Sequence, residues 1–185
     1  MKFKEHWDLK DKHSFLSPSQ YYWVNYNDEK LIEVYCNMMA KTRGTEYHAV
    51  AAKLIELGWK MPRNHKTVNW YVNDAIGYMM TPEQPLYYSE NCFGTADAIS
   101  FDGKILRIHD LKTGVTPANM LQLKIYAAIF CLEYEQDPTT IDIELRIYQN
   151  DDRDILIPES DEIVNIMHKI IDFDKKLEIY KSSKM

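Results

Sequence analysis

Residues 93–126 limit the possible folds of the chain most strongly, because a hairpin pattern there is followed directly by a helix pattern. The stretch reads FGTADAISFDGKILRIHDLKTGVTPANMLQLKIY. Asp102-Gly103 separates two runs rich in β-branched and aromatic residues, and both turn residues tolerate positive φ angles. The sequence therefore predicts a strand, a two-residue turn, a second strand, a loop and a helix.

The predicted hairpin carries charged side chains at strand positions. Side chains alternate along a strand, so Asp110 and Lys112 share one face. Counting outward from a two-residue turn pairs Asp97 with Ile108, one diagonal step from Asp110. Diagonal neighbours lie roughly 7–8 Å apart, which allows two carboxylates to share a small divalent cation. The alternative is a surface ladder of ion pairs on a solvated hairpin.

Two helices are predicted in the N-terminal third of the chain, over residues 28–41 and 43–58. The second has Thr45 as its N-cap and ends at Gly58. His48 then falls near the first turn, where the helix dipole disfavours protonation and keeps the imidazole available as a metal ligand. A purely structural role for His48 is the alternative. Glu46 faces nearly the opposite side of the helix, so both side chains cannot easily bind one ion.

The remaining sequence predicts further elements around this core. Residues 60–66, KMPRNHK, form a basic connector whose Arg63, His65 and Lys66 either contact phosphate or are simply solvated. The predicted elements after it are a helix starting at Thr67, a break at 81–85, a strand at 86–90, a helix at 119–135, strands at 141–148 and 154–157, and a helix at 160–180. The break, TPEQP, is assigned on its two prolines.

Composition favours one folded domain over residues 1–185. The 185 residues are 45% hydrophobic and 12% aromatic, enough for a core, and no internal repeat interrupts them. Cys36, Cys92 and Cys131 are widely spaced in apolar surroundings, which indicates reduced core thiols. No long apolar run or secretion signal is present, so we expect a cytoplasmic protein with no membrane partner.

The net charge of −6 bears on the choice of ligand. Nucleic-acid enzymes are usually basic, so this charge argues against tight, unaided binding to duplex DNA. Part of the negative charge can belong to a metal site, where a bound cation neutralises the carboxylates. A local basic surface can also exist on a protein whose net charge is negative.

Four motifs in order carry a family resemblance: RGTEYH, GTAD, DLK and QLKIY. Together they resemble the PD-(D/E)xK nuclease superfamily, and specifically its RecB-like branch with CRISPR-associated and phage recombination exonucleases. The resemblance spans about residues 43–126. One such motif is weak, but four in this order on helix, hairpin and helix are specific.

The resemblance implies a fold, a site and an activity. The fold is α/β, with a central mixed β-sheet flanked by helices and a restriction-endonuclease-like core. The implied metal ligands are His48, Asp97, Asp110 and the Leu111 carbonyl, with Glu46 as the competing candidate for His48. Lys112 is the implied catalytic lysine, acting with Asp97 and Asp110. The implied substrate-binding residues are Gln122 and Tyr126.

The implied activity is that of a DNA nuclease dependent on Mg²⁺ or Mn²⁺, most simply an exonuclease in recombination, repair or end processing. The four cysteines of many RecB-like members are absent, so no iron–sulfur cluster is expected. No P-loop is present either, and a recombination or helicase protein is the expected partner. The alternative is a non-catalytic nucleic-acid-binding or assembly subunit that keeps the nuclease fold.

Overall fold

The computed structural model describes residues 14–184. Its elements are a 3₁₀ helix at Pro18–Asn25, helices α1 (Asp28–Glu56), α2 (Thr67–Gly77), α3 (Leu121–Glu133) and α4 (Ser160–Lys184), and strands β1 (Thr81–Ser89), β2 (Cys92–Phe101), β3 (Ile105–Leu111), β4 (Asp142–Gln149) and β5 (Asp152–Leu156). The chain divides into two compact units, one ending at Arg43 and one beginning at Gly44. The prediction of one domain over residues 1–185 stays a prediction.

The five strands form one mixed sheet in the order β1-β2-β3-β4-β5. Strands β1, β2 and β3 pair antiparallel, β3 pairs parallel with β4, and β4 pairs antiparallel with β5. The parallel pair needs a crossover, and α3 supplies it. The predicted α/β class with a mixed sheet flanked by helices is confirmed.

Two hydrophobic clusters cover the two faces of the sheet. One joins β3 and β4 to α3 and α4, with Leu106, Leu123, Leu145 and Ile163 fully buried or nearly so. The other packs α2 and the last turns of α1 against residues such as Leu111. Residues alternate between these clusters along β3 and β4, as the strand period requires.

A polar network fixes α2 on the second face. The hydroxyl of Tyr148 donates to Asp74 Oδ2 at 2.7 Å, and Arg146 Nη1 donates to the same oxygen at 3.1 Å. Arg146 also donates to the Tyr78 hydroxyl at 2.9 Å. Because these groups are partly buried and satisfy one another, the network holds α2 in one position.

The predicted two-residue turn and its register are wrong. The innermost pair is Phe101 with Leu106, so four residues separate the paired positions. Asp102 Oδ1 accepts hydrogen bonds from the N–H groups of Lys104 and Ile105, which closes the longer loop. Ile108 therefore pairs with Ile99. Continuing this register by two residues places Asp97 directly opposite Asp110.

The predicted break between two N-terminal helices is also wrong, because α1 is continuous from Asp28 to Glu56. Thr45 lies inside the helix and is not its N-cap. Gly44 is explained by a close approach: a Cβ added there would lie 2.8 Å from Thr113 Oγ1. His48 is consequently far from the helix N-terminus, and the dipole argument for its neutral form does not apply.

The predicted break at residues 81–85 is part of β1. Prolines are tolerated there because β1 is the edge strand of the sheet. Cys36, Cys92 and Cys131 are all free thiols as predicted, but only Cys131 is buried in the core; Cys92 is half-buried against it and Cys36 is exposed. Among residues 14–184, no helix combines the length and the apolar character needed to cross a bilayer.

Candidate metal centre

The candidate centre lies within the unit that begins at Gly44, where α1 meets the middle of β2 and the end of β3. His48 projects from α1 towards Asp97 on β2, with its Nδ1 3.3 Å from Asp97 Oδ2. The same Asp97 oxygen accepts a hydrogen bond of 2.9 Å from the Leu111 N–H. This bond ties the middle of β2 to the end of β3. The structure thus brings together His48 and Asp97, which are 49 positions apart in the sequence.

Glu83 joins them as a residue that the sequence interpretation missed. Single ligand atoms of His48, Glu83 and Asp97 all lie within 4.8 Å of one another. Pro82 pairs with Ala98 and Gln84 with Ala96, so Glu83 stands across from Asp97 on the edge strand. Its φ angle of 49° marks an irregular backbone that strand periodicity does not signal.

Asp110 completes the acidic group from β3. Burial raises its pKa from 3.8 to about 6, Asp97 adds to the rise, and Lys112 opposes it. The side chain is 4% exposed. Lys112 Nζ lies 3.1 Å from Oδ1 with hydrogen-bond geometry and 3.0 Å from Oδ2 without it. Oδ2 is therefore a buried carboxylate oxygen that receives no hydrogen bond.

Lys112 and Gln122 form the next part of the centre. Besides contacting Asp110, Lys112 Nζ donates to Gln122 Oε1 at 2.9 Å. The first turn of α3 thus holds the ammonium beside Asp110. Tyr126, one turn later, packs over Gly94 on β2, where an added Cβ would lie 3.0 Å from its ring. Gly94 is the position that lets Tyr126 approach the sheet.

The electrostatics of the centre favour a bound cation. The hydrogen bond to Asp97 raises the pKa of His48, while burial opposes this rise. This direction is the reverse of the sequence expectation for His48. Burial, and then the charge of Asp97, raises the pKa of Glu83. Carboxylates that resist ionisation because they are buried next to another negative charge are stabilised when a cation shares them.

The other predicted ligands have different positions. Glu46 is exposed and is not among the residues that converge with Asp97. Leu111 is fully buried, and its N–H is engaged by Asp97. A role for the Leu111 carbonyl stays a prediction. The side chain of Arg43, the first residue of the RGTEYH motif, lies outside the described residues.

The donor set fits Mg²⁺ or Mn²⁺. Glu83 and Asp97 give two hard oxygen ligands and His48 gives one nitrogen within 4.8 Å, and thiolates are absent from this group of described residues. Asp110 lies outside the group but interacts with it through the charges of Asp97 and His48. Asp110 Oδ2 receives no hydrogen bond, although the Lys112 ammonium lies 3.0 Å away, so this oxygen has a lone pair to offer a metal cation. The residues present therefore fit the implied metal, with Glu83 added to the predicted set.

A cleft adjoins Lys112 on the side of α2. It has a volume of about 490 Å³ and is lined by residues that include Tyr47, Thr67, Val68, Lys112 and Thr113. Tyr47 is 54% exposed. Lys112 connects this cleft with the candidate centre, whose carboxylate and imidazole ligand candidates do not line it, and the cleft has room for a ligand of nucleotide size.

Comparisons with known proteins give no family assignment. No model of a protein family matches the chain. A search of curated proteins likewise finds no matching sequence.

Proposed function

We propose that the protein is a divalent-metal-dependent DNA nuclease of the PD-(D/E)xK type, related to the RecB-like branch. One observation carries the proposal: His48, Glu83 and Asp97 converge within 4.8 Å beside a buried Asp110 oxygen that has no hydrogen-bond donor. A solvated ladder of surface ion pairs would not require a histidine from α1 or a buried carboxylate.

Each side chain has a role in the proposed reaction. His48, Glu83, Asp97 and Asp110 hold Mg²⁺ or Mn²⁺, which when bound supplies Lewis acidity and neutralises charge at the scissile phosphate. Lys112 orients the attacking water or stabilises negative charge that builds on the phosphate oxygens. Gln122 and Asp110 keep the ammonium in place through their two contacts with its Nζ.

The wider context of the activity is part of the proposal. Four ordered motifs and a mixed sheet with α3 as the crossover support a restriction-endonuclease-like core. An exonuclease for recombination, repair or end processing in the cytoplasm, with a helicase or recombination protein as partner, is the corresponding role. The rival is a non-catalytic nucleic-acid-binding or assembly subunit, which the net charge of −6 and the exposed apolar residues of α4, such as Phe173 and Leu177, favour.

Incubation with linear, circular and single-stranded DNA separates these functions. We expect loss of linear DNA with Mn²⁺ or Mg²⁺ and no loss with EDTA, because the carboxylates need the cation to engage a phosphate. Product length on gels distinguishes attack at ends from attack at internal positions. Asp97→Asn serves as the inactive control, and Asp154→Asn, an exposed aspartate on β5, as the active one. Intact linear DNA with a correctly folded wild-type sample in both ions would leave the non-catalytic subunit as the function.

A further inference from the structure

The loop between α1 and α2 concentrates positive charge in an acidic chain. Residues 59–66, WKMPRNHK, contain three Lys or Arg residues, one histidine and no carboxylate. The loop and α2 enclose a cavity of about 550 Å³, lined by residues that include Lys60, Arg63, His65, Trp70 and Asn73. The loop is therefore a local basic surface despite the net charge of −6.

Hydrogen bonds from α2 fix the backbone of this loop. The Asn73 side chain accepts from the Met61 N–H at 2.8 Å and donates to the Met61 carbonyl at 3.0 Å. Asn69 Nδ2 donates to the Pro62 carbonyl at 3.0 Å and to Asn64 Oδ1 at 2.9 Å. A ligand that binds the loop consequently meets a surface that is already ordered, which lowers the entropic cost of binding.

Within the described part of the chain, two of the loop's cations lack an anionic partner. Lys66 Nζ forms an ion pair with Asp151 Oδ2 at 2.9 Å. Asp74, the carboxylate of the cavity, is engaged by Arg146 at 3.1 Å and by Arg153 at 3.3 Å. Across residues 14–184, no carboxylate lies within ion-pair distance of Lys60 or Arg63. Their charges are free to meet an anion.

Aromatic side chains accompany these cations. Trp59 precedes Lys60 and is 67% exposed. Trp70 lines the cavity, with the Arg153 guanidinium 5.1 Å from its ring centroid. Exposed aromatic rings beside a track of cations are the elements with which proteins bind single-stranded nucleic acid: the rings stack on bases and the cations contact phosphates.

Helix α2 connects this surface to the candidate metal centre. Thr67 and Val68 line the cleft that contains Lys112, whereas Trp70 lines the basic cavity. Thr67 and Trp70 are three residues apart in α2, so their separation along the helix axis is less than one turn of about 5.4 Å. A strand rises about 3.4 Å per nucleotide in duplex DNA, so a few nucleotides can pass from one cavity to the other.

We propose that residues 59–66 bind a single strand of DNA next to the scissile phosphate, with Lys60 and Arg63 on phosphates and Trp59 stacked on a base. The proposal rests on the proposed nuclease function and adds the form of substrate that the enzyme holds. A single strand is favoured over a duplex because the unpaired bases can reach the exposed indole.

The test measures DNA binding without cleavage. Fluorescein-labelled dT20 and a blunt 20-base-pair duplex are titrated in EDTA at several salt concentrations, using wild type, Lys60→Ala/Arg63→Ala, Trp59→Ala and a charge-matched control. The control is Lys104→Ala/Lys175→Ala, which removes two exposed lysines from other surfaces. Melting temperature checks folding, and hydrolysis of a single-nucleotide phosphodiester with Mn²⁺ reports the metal centre alone.

We expect the Lys60→Ala/Arg63→Ala protein to bind dT20 about tenfold more weakly and its log–log salt slope to become about 1.4 shallower, because two phosphate contacts are lost. Trp59→Ala should weaken dT20 binding roughly tenfold without changing the slope. The matched control should bind like wild type, and wild type should prefer dT20 to the duplex.

The outcomes separate this proposal from the nuclease proposal. Equal binding by wild type and the Lys60→Ala/Arg63→Ala protein overturns the loop assignment, even where linear DNA is cleaved. Preference for the duplex, with Trp59→Ala unaffected, overturns the assignment to a single strand. Loop-dependent binding of dT20 by a protein that hydrolyses no phosphodiester supports the loop assignment and overturns the nuclease.

Discussion

At the residue scale, the contact between Lys112 and Asp110 decides between a catalytic site and a surface ion pair. The Lys112 side chain is 30% exposed, whereas that of Asp110 is 4% exposed. An exposed pair contributes only about 0–1 kcal/mol, and its loss should leave turnover unchanged. The second contact of Lys112, with Gln122, holds the ammonium next to the buried Asp110 carboxylate, which an exposed surface pair would not need.

Lys112→Ala should therefore reduce the cleavage rate by about 100-fold or more while DNA affinity changes little, because the ammonium acts mainly after the substrate is bound. Mn²⁺ affinity should be kept, since an ammonium is not a ligand. Cleavage rate, DNA affinity and melting temperature are measured on one preparation. Lys124→Ala, which breaks the surface pair with Glu162, is the matched control. An unchanged rate in Lys112→Ala would remove the lysine from the mechanism.

At the element scale, the rotation of α1 decides which of its polar residues reaches the sheet. Helical residues two apart point about 200° apart, so His48 and Glu46 face different surroundings. His48 meets Asp97, and Gly44, one turn earlier, lies against Thr113. Both contacts fix the same helix face on the middle of β2 and the end of β3.

His48→Ala and Glu83→Gln should each weaken Mn²⁺ binding by about tenfold or more, as expected when a ligand is lost. Glu46→Ala is the control on the same helix and should leave the affinity nearly unchanged. Isothermal titration calorimetry of the three variants gives the affinities directly. Weak binding in Glu46→Ala together with normal binding in His48→Ala would mean that α1 presents the opposite face.

At the scale of the whole molecule, the carboxylate cluster makes stability depend on the metal. Asp110 is ionised at pH 7 although its pKa is raised from 3.8 to about 6, which costs the metal-free fold about 3 kcal/mol. Because the folded pKa lies above the unfolded one, stability is fully present below about pH 4 and is lost as the pH rises through about 6. A bound cation offsets this loss by mass action.

Metal-free wild type should consequently be as stable as Asp110→Asn near pH 4 and less stable at pH 7.5. Saturating Mn²⁺ at about 100 times its dissociation constant should raise the wild-type melting temperature by roughly 5–10 °C, and that of Asp110→Asn by much less. Thermal melts with EDTA and with Mn²⁺ at both pH values test this, with Asp154→Asn as the exposed control. A melting temperature insensitive to Mn²⁺ would contradict an intact metal site.

Local patterns determined much of the fold before the structure was known. The alternation of residues along β2, β3 and β4, and the apolar faces of α3 and α4, specify their elements because those signals depend only on near neighbours. Local patterns also suffice to predict that Asp110 and Lys112 share one face and that Gln122 lies at the start of a helix. The hairpin was recognised, but its register was not, since Asp102 closes a longer loop through bonds that residue type alone leaves open.

Only the tertiary structure decided which residues form the centre. The sequence predicts Thr45 as a helix N-cap and residues 81–85 as a break, but the continuous helix α1 and the edge position of β1 explain these residues differently. Glu83 enters the centre through pairing of β1 with β2, and His48 gains its high pKa from Asp97. Both depend on contacts between residues distant in sequence, which periodicity and local propensity do not encode.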